Sequence, residues 1–379
     1  MKFNLKNLIF LGLLFFSSED SVLAQLVPDR TLGIESSTVV PVSSTKKNIE
    51  GGATRGTNIF HSFQEFNVNT GQKVFFNNPS GIKNIINRVT GKNISNISGT
   101  LGVNGNANLY LINPNGIIFG NGAKLDINGS FIGTTADGIK LGENDIFSAT
   151  DPANSRLLTI EPGALFVNES RSVKSIITNE GNLEINPGAK IILSGDEITN
   201  NGLINSFGGD IFIEAVNGNI NITQNINASA LRDIQNNPVA NGGDIYLKAN
   251  KNITFNSGVQ IRSSGILGGN INIQSNKNLR LIDGASARTI TSSENTGGNL
   301  QVSAKKIELI GANSNTSSPS LLLVINSGNK ASIKINTDEL NLIDGGTISI
   351  DSPNRIDGGN IEILAKKIVI IGINKFSIL

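Results

Sequence analysis

A single histidine and a scatter of carboxylates are the side chains of this sequence that could carry acid–base chemistry. His61 stands between Phe60 and Ser62. An imidazole acts as general base when a partner orients it beside a substrate. An aromatic neighbourhood instead suits a buried histidine held by a hydrogen bond. The carboxylates that could pair are Asp196 with Glu197, Asp283 with Glu308, and Asp344 with Asp351 and Asp357. Polysaccharide hydrolases and lyases need two or three such groups converging in one groove. Here three of them precede glycine, in Asp283-Gly284, Asp344-Gly345 and Asp357-Gly358, which is ordinary turn chemistry. A polysaccharide hydrolase or lyase would have to be argued from measured turnover on pectin-like polymers. With no Cys and one His, the chain lacks thiolate nucleophiles, disulfides and the usual zinc ligand sets. The Gly-Gly-Asp units recur too far apart for a calcium-binding nonapeptide repeat. No enzyme activity, cofactor or metal is expected.

The 379 residues are 38% hydrophobic and 16% charged, with a net charge of +1. That composition is too apolar for intrinsic disorder. The near-neutral balance gives no electrostatic reason to expect nucleic acid as a partner. The chain holds 54 Asn, 54 Ile and 42 Gly. Ile favours buried strands, whereas Asn and Gly accept the left-handed backbone of tight turns. Many short strands joined by many turns follow.

The N-terminus reads as an address. Lys2 and Lys6 precede an apolar run, Leu8 to Phe16, too short for the roughly 20 residues of a membrane-spanning helix. Polar residues and then Val22-Leu23-Ala24 complete a secretory signal with cleavage between Ala24 and Gln25.

Repetition organises the rest. A Gly-Gly-Asp/Asn-Ile/Leu signature starts at Gly208, Gly242, Gly268, Gly297 and Gly358. The last interval is about twice the others. In a complete unit one strand opens after the glycines (Ile245 to Ala249), a second follows a polar turn (Asn252 to Phe255) and a third follows Gly258 (Val259 to Arg262). Ile307 to Ile310 and Lys367 to Ile370 occupy the second slot of their units. Three strands and three turns are what one coil of a parallel β-helix requires. The fold class is therefore all-β: a right-handed parallel β-helix, or solenoid, with an N-terminal cap. A β-sandwich or propeller is the alternative. At roughly 22 residues per coil, the chain after Ala24 gives about 16 coils and a rod about 75 Å long. Asn at equivalent turns would form amide ladders. Eight phenylalanines lie between Phe60 and Phe147, as suits a cap that buries an open solenoid end.

Two related turns carry the strongest signal: Asn78-Pro79-Ser80-Gly81-Ile82 and Asn113-Pro114-Asn115-Gly116-Ile117. Each follows an apolar run, and by residue type each is a strand-end turn. With Gly51 to Gly56, Phe60 to Val68, Ile86 to Gly91, Gly99 to Val103 and Gly129 to Phe131, they make the chain resemble the secretion domain of two-partner secretion exoproteins, the filamentous haemagglutinin-like family. That family carries Asn-Pro-Asn-Leu and then Asn-Pro-Asn-Gly-Ile. The second stands here letter for letter at 113–117; the first departs at Ser80 and Gly81.

The resemblance implies passage through the periplasm and then through an outer-membrane β-barrel transporter. The transporter's periplasmic domains would recognise the N-terminal region in an extended or partly folded form, through Asn78 to Gly81 and Asn113 to Ile117. A plain turn role for these residues stays open. The expected organisation is a signal at 1–24, a cap and secretion core at 25–150, and degenerate repeats at 151–379. The C-terminal unit reads as truncated, since it ends on Phe376-Ser377-Ile378-Leu379 without a polar cap. Two roles remain: a secreted or surface-held adhesin-type rod that binds host or neighbouring-cell glycans or proteins, or the delivery portion of a longer exoprotein.

Overall fold

The structure, a computed structural model, describes residues 26–141, 145–155, 166–167, 174–294, 297–328, 331–353 and 359–372. Ala24, Gln25, Asp357 and the Phe376–Leu379 tail lie outside the described residues.

Alternating apolar residues wind the chain into a parallel β-helix with three strands per turn. The first face starts at Asn58–Phe66, Asn84–Val89, Asn108–Ile112 and Phe131–Thr134, each parallel to the last. It continues through Ile191–Gly195, Ile211–Ala215, Ile245–Ala249 and Ile271–Ser275. The second face includes Ser95–Ile97, Ile117–Phe119, Ile176–Asn179 and Glu197–Asn200. In the last described turns the first two faces merge into long strands, Leu300–Ile310, Ser332–Ile343 and Asn360–Ile371. The third face is a separate sheet of twelve strands, of which the first is antiparallel to its neighbour and the other eleven run parallel. Two short 3-10 turns, Gly33–Glu35 and Pro152–Asn154, are the only helical pieces among the described residues.

One Ile position shows why the stack holds. Ile59, Ile85, Leu109, Phe131 and Ile191 occupy the same slot on successive turns, and each points into the shared core with at most 3% exposure. Outside that core, corners are tied by amides: Asn84 Nδ2 donates to Asn58 Oδ1 at 3.0 Å, and Asn108 Nδ2 to Asn84 Oδ1 at 2.9 Å. The repeated Gly-Gly has a steric cause. A side chain at Gly243 would land on the Gly209 carbonyl of the turn before, and one at Gly269 on that of Gly243. Ala331 occupies this slot between Gly298 and Gly359. The doubled interval before Gly358 is thus two turns, one of which lacks the signature.

Among the described residues, eleven parallel strands on the third face give eleven turns, fewer than the 16 expected, in a stack about 48 Å long at about 4.8 Å per turn. Two things lengthen the turns. Corner loops vary, so that Ile191 to Ile211 takes 20 residues and Ile211 to Ile245 takes 34. A large excursion also leaves the stack after Thr134 and returns at Ile176. It contains a small antiparallel sheet, in which Gly138–Leu141 pairs with Asp145–Ser148 and with Phe166–Val167.

The N-terminal end is capped by antiparallel pairing. Leu26–Pro28 and Ala53–Arg55 both lie against Asn58–Phe66, and Ser37–Pro41 covers Lys46–Gly51. These strands use hydrogen-bonding edges that the first turn would otherwise expose. Phenylalanines fill that end: Phe63, Phe66 and Phe76 are buried inside, with Phe63 and Phe66 ring centroids 5.2 Å apart. Phe60 instead faces outward. With Ile86 and Ile112 it meets Ile139 and Phe147 of the excursion in a second, external core.

Candidate secretion-recognition region

The two Asn-Pro turns occupy different corners and different environments. Asn78–Ile82 links the third face to the first, between Lys73–Asn77 and Asn84–Val89. Asn113–Gly116 links the first face to the second, between Asn108–Ile112 and Ile117–Phe119. Their 35-residue separation is not a whole number of turns, so the stack does not bring them into register.

The first turn is open. Pro79, Ser80 and Gly81 are exposed, and Gly81 takes φ +84°. The Ile82 amide donates to Pro79 O at 3.2 Å, and the Ile82 side chain enters the core. With its amide oriented to satisfy both ends, Asn78 donates to Ile82 O and accepts from the amides of Asn106 and Ala107, all at 3.2 Å. Asn78 thereby ties this corner to the one above.

The second turn is closed. Asn113 is fully buried, and Pro114, Gly116 and Ile117 are buried around it. Asn113 Nδ2 donates to Asn93 O at 3.0 Å and to Ser95 Oγ at 2.9 Å, both on the preceding turn. Its Oδ1 accepts from Asn115 N at 2.9 Å and Asn115 Nδ2 at 3.0 Å, and Asn115 Nδ2 also reaches Gly91 O at 2.8 Å. From the other side Asn113 N donates to Thr134 O at 3.0 Å, and Ser175 Oγ donates to Pro114 O. Ser175 ends the excursion, and its own amide donates to Asp196 Oδ2 at 2.9 Å on the next turn. Gly116 takes φ +129°, a conformation that favours glycine. The motif is thus a clamp between three turns.

Beside it a buried polar network joins the cap, the first two turns and the excursion. Arg88 is fully buried with its guanidinium 4.2 Å from the Phe147 ring. It donates to Ser62 Oγ at 2.9 Å, Ser148 O and Ser155 Oγ at 2.6 Å, and Thr31 Oγ1 at 2.8 Å. Burial pushes its pKa down to about 10, against the opposing pull of Asp29. Asp29 accepts from Thr31 Oγ1 at 2.6 Å, Thr90 Oγ1 at 2.6 Å and Ser62 Oγ at 2.8 Å. Burial raises the Asp29 carboxyl, but these donors outweigh it and leave the pKa below its usual value. The run Ile86–Gly91 contains Arg88, Thr90 and Gly91. Their partners lie up to 67 residues away, which no local pattern marks.

The acid–base candidates are dispersed. His61 faces the interior, where Nδ1 meets Ser37 Oγ at 3.0 Å and the ring lies 5.1 Å from Phe76. Desolvation pushes its pKa down to about 3, so the ring is neutral. Asp196 is spent on Ser175 N and Asn217 Nδ2. Glu308 pairs with Arg280 at 3.1 Å and Lys306 at 2.9 Å. Asp283 and Asp344 both take φ +47° as turn residues. Three lysines lie in an inter-turn charge ladder: Lys306 and Lys367 both reach Glu339, at 3.6 Å, and Lys366 reaches Asp338 at 2.7 Å. No group of three potential metal-ligating residues occurs among the described residues.

Comparison with known proteins places this arrangement in a family. The TPS secretion domain family matches residues 24–268, more than half of the chain. A heme/hemopexin-binding protein of Haemophilus influenzae (strain ATCC 51907 / DSM 11121 / KW20 / Rd) is 30% identical over 189 residues, 49% of this chain and 20% of that protein. A second Haemophilus influenzae heme/hemopexin-binding protein is 32% identical over 107 residues, 28% of this chain and 11% of that protein. The chain thus spans a fifth or less of these relatives' length. Among solved structures, the HMW1 secretion domain from Haemophilus influenzae aligns with a TM-score of 0.40 and 19% identity, covering 89% of this chain and 97% of that one. A filamentous hemagglutinin secretion domain aligns with a TM-score of 0.33 and 16% identity, covering 90% and 99%. The chain belongs to the TPS secretion domain family, and carries the secretion domain of a two-partner secretion exoprotein.

Proposed function

We propose that a partner β-barrel transporter in the outer membrane exports this chain after periplasmic transit, and that the transporter reads residues 25–150 before they finish folding. The exposure of the two turns supports this order. Asn113 to Ile117 is closed over by the Asn93–Ser95 corner and by Ser175, so a receptor can reach Asn113 only while the chain is extended. Pro79 to Gly81 stays accessible in both states. Solenoid turns contact only their neighbours, so residues 151–379 can fold turn by turn as they emerge, and the folding outside supplies part of the drive. With no Cys, no disulfide can lock the chain before the pore. Once outside, the chain serves as an adhesin-type rod on the cell surface or in the medium, where it binds glycans or proteins of other cells. The second reading, delivery of a longer exoprotein's effector region, would show as a reading frame that continues the Gly-Gly repeats.

The test is capture by the transporter's isolated periplasmic domains. Chain held unfolded in mild urea should be captured, native chain much less so, and Asn113→Ile or Asn115→Ile should weaken capture of the unfolded chain. Equal capture of native and unfolded chain, with both variants indistinguishable from wild type, would remove the recognition role and leave the residues as structural turns.

A further inference from the structure

Several cations on the outer faces meet a carboxylate on a neighbouring turn: Lys190 with Asp210, Lys248 with Glu214, Arg280 with Glu308. Elsewhere on the third face arginines gather without such a partner. Its outward column runs Asn205, Asn227, Arg262, Arg288 on successive turns, so two guanidiniums stack with no acid between them. The loop that lengthens this turn adds a third. Arg232 is held there by a bridge to Pro238 and by its Nη1 donating to Asn236 O at 2.5 Å. The adjacent Asp233 bends back onto the amides of Gln235 and Asn237, at 2.9 and 2.8 Å. Among the described residues, no carboxylate forms an ion pair with any of the three arginines.

Loop and sheet border an open cavity of about 430 Å³, lined by Asn205, Phe207, Asn227, Ser229, Arg232 and Arg262. Two of its polar atoms, Arg262 Nε and Ser229 Oγ, are buried without a hydrogen-bond partner. Buried donors are almost always satisfied, and each orphan is costly. Both orphans border the same cavity as the Arg232 and Arg262 guanidiniums, and Arg288 lies on the next turn. Burial, with repulsion from Arg232 and Arg288, lowers the Arg262 pKa.

We propose that Arg232 and Arg262, with Arg288 adding positive charge from the next turn, bind the oxyanion of an acidic saccharide, a carboxylate or sulfate ester carried on a hexose-sized ring. A guanidinium fork matches either group with two parallel hydrogen bonds. Binding would relieve the repulsion between the arginines and give Arg262 Nε and Ser229 Oγ partners. The cavity is roomier than a bare oxyanion needs; the Asn205 and Asn227 amides suit ring hydroxyls and Phe207 suits an apolar ring face. The site names a ligand class for the surface role proposed above and rests on that reading for its biological setting.

Calorimetric titration of the mature chain at fixed ionic strength tests the site, with glucuronic acid, glucose 6-sulfate, glucose and sodium sulfate as probes. An acidic sugar should bind at least about tenfold more tightly than glucose or sulfate, and Arg262→Gln or Arg288→Gln should cost about tenfold each. Arg280→Gln, in a paired ladder, should change nothing. Equal binding of all four probes, binding of sulfate as tight as of its sugar ester, or insensitivity to both variants overturns the proposal. Should Arg262→Gln fail to fold, Arg232→Gln on the exposed loop takes its place with the same expectation. Attachment to cells is measured in parallel. Attachment that is undiminished in an Arg262→Gln chain whose sugar affinity has fallen removes the site from attachment and spares the surface role. Sugar binding by a chain that attaches to no cell spares the site and removes that role.

Discussion

Replacing Asn113 by Ala separates a buried clamp from a surface turn. The substitution removes two donated and two accepted hydrogen bonds, and leaves Asn93 O, Ser95 Oγ and Asn115 N to find new partners in a closed corner. A net loss of about 1 kcal/mol per bond, with 1–3 kcal/mol for a buried group left unpaired, gives a destabilisation of about 3–5 kcal/mol. Ser80→Ala, at the exposed turn, should stay within about 0.5 kcal/mol. Guanidinium denaturation of the purified chains from Gln25 onward, followed by far-ultraviolet circular dichroism, gives the two values. Amide exchange at Ser95 and Asn113, whose N–H groups donate to Gly116 O and Thr134 O, localises the damage. An Asn113→Ala chain less than about 1 kcal/mol below wild type, with unchanged exchange at both amides, would refute the clamp and with it the argument that the motif is legible only before folding.

Other perturbations test other parts of the stack. Gly243→Val, which drives a side chain into the Gly209 carbonyl, should cost at least about 1–3 kcal/mol by the same denaturation assay. Arg88→Met should cost about 3–5 kcal/mol and speed amide exchange along Asn58–Phe66, since it breaks the buried link between cap, first turns and excursion. His61 titrates near 3 when folded and near 6.5 when unfolded, so between these values the unfolded chain binds more protons. Stability should therefore be full above pH 6.5 and fall by up to about 1.4 kcal/mol per pH unit below it, while His61→Phe flattens that slope. Asp29, whose folded pKa is depressed, adds a further loss only at pH below about 3.8.

The strand grammar was open to sequence reading because it is local. Ile245–Ala249, Ile253–Phe255 and Gln260–Gly265 fall within a few residues of the expected strands, since alternating Ile and a following Asn or Gly act within one turn. The number of turns was not legible, because corner loops differ in length without changing the strand pattern. Ala331 shows how one methyl group hides a whole turn from a Gly-Gly search. The excursion was invisible for another reason: Phe147 reads as one more apolar residue until Phe60 and Ile86, far back in the chain, are seen beneath it. The two Asn-Pro turns look alike in sequence, yet one is open and the other closed, because the difference lies in what the neighbouring turns place over them. Arg262 and Arg288 share a column only once the third-face register is known.

Export is the claim that bears most directly on everything above. The chain, residues 1–24 included, is to be produced in a bacterium with an outer membrane, with and without a co-expressed two-partner transporter. The mature chain should reach the medium or the outer surface only when the transporter is present, and remain in the periplasm without it. Equal amounts outside the cell in both strains would contradict the account.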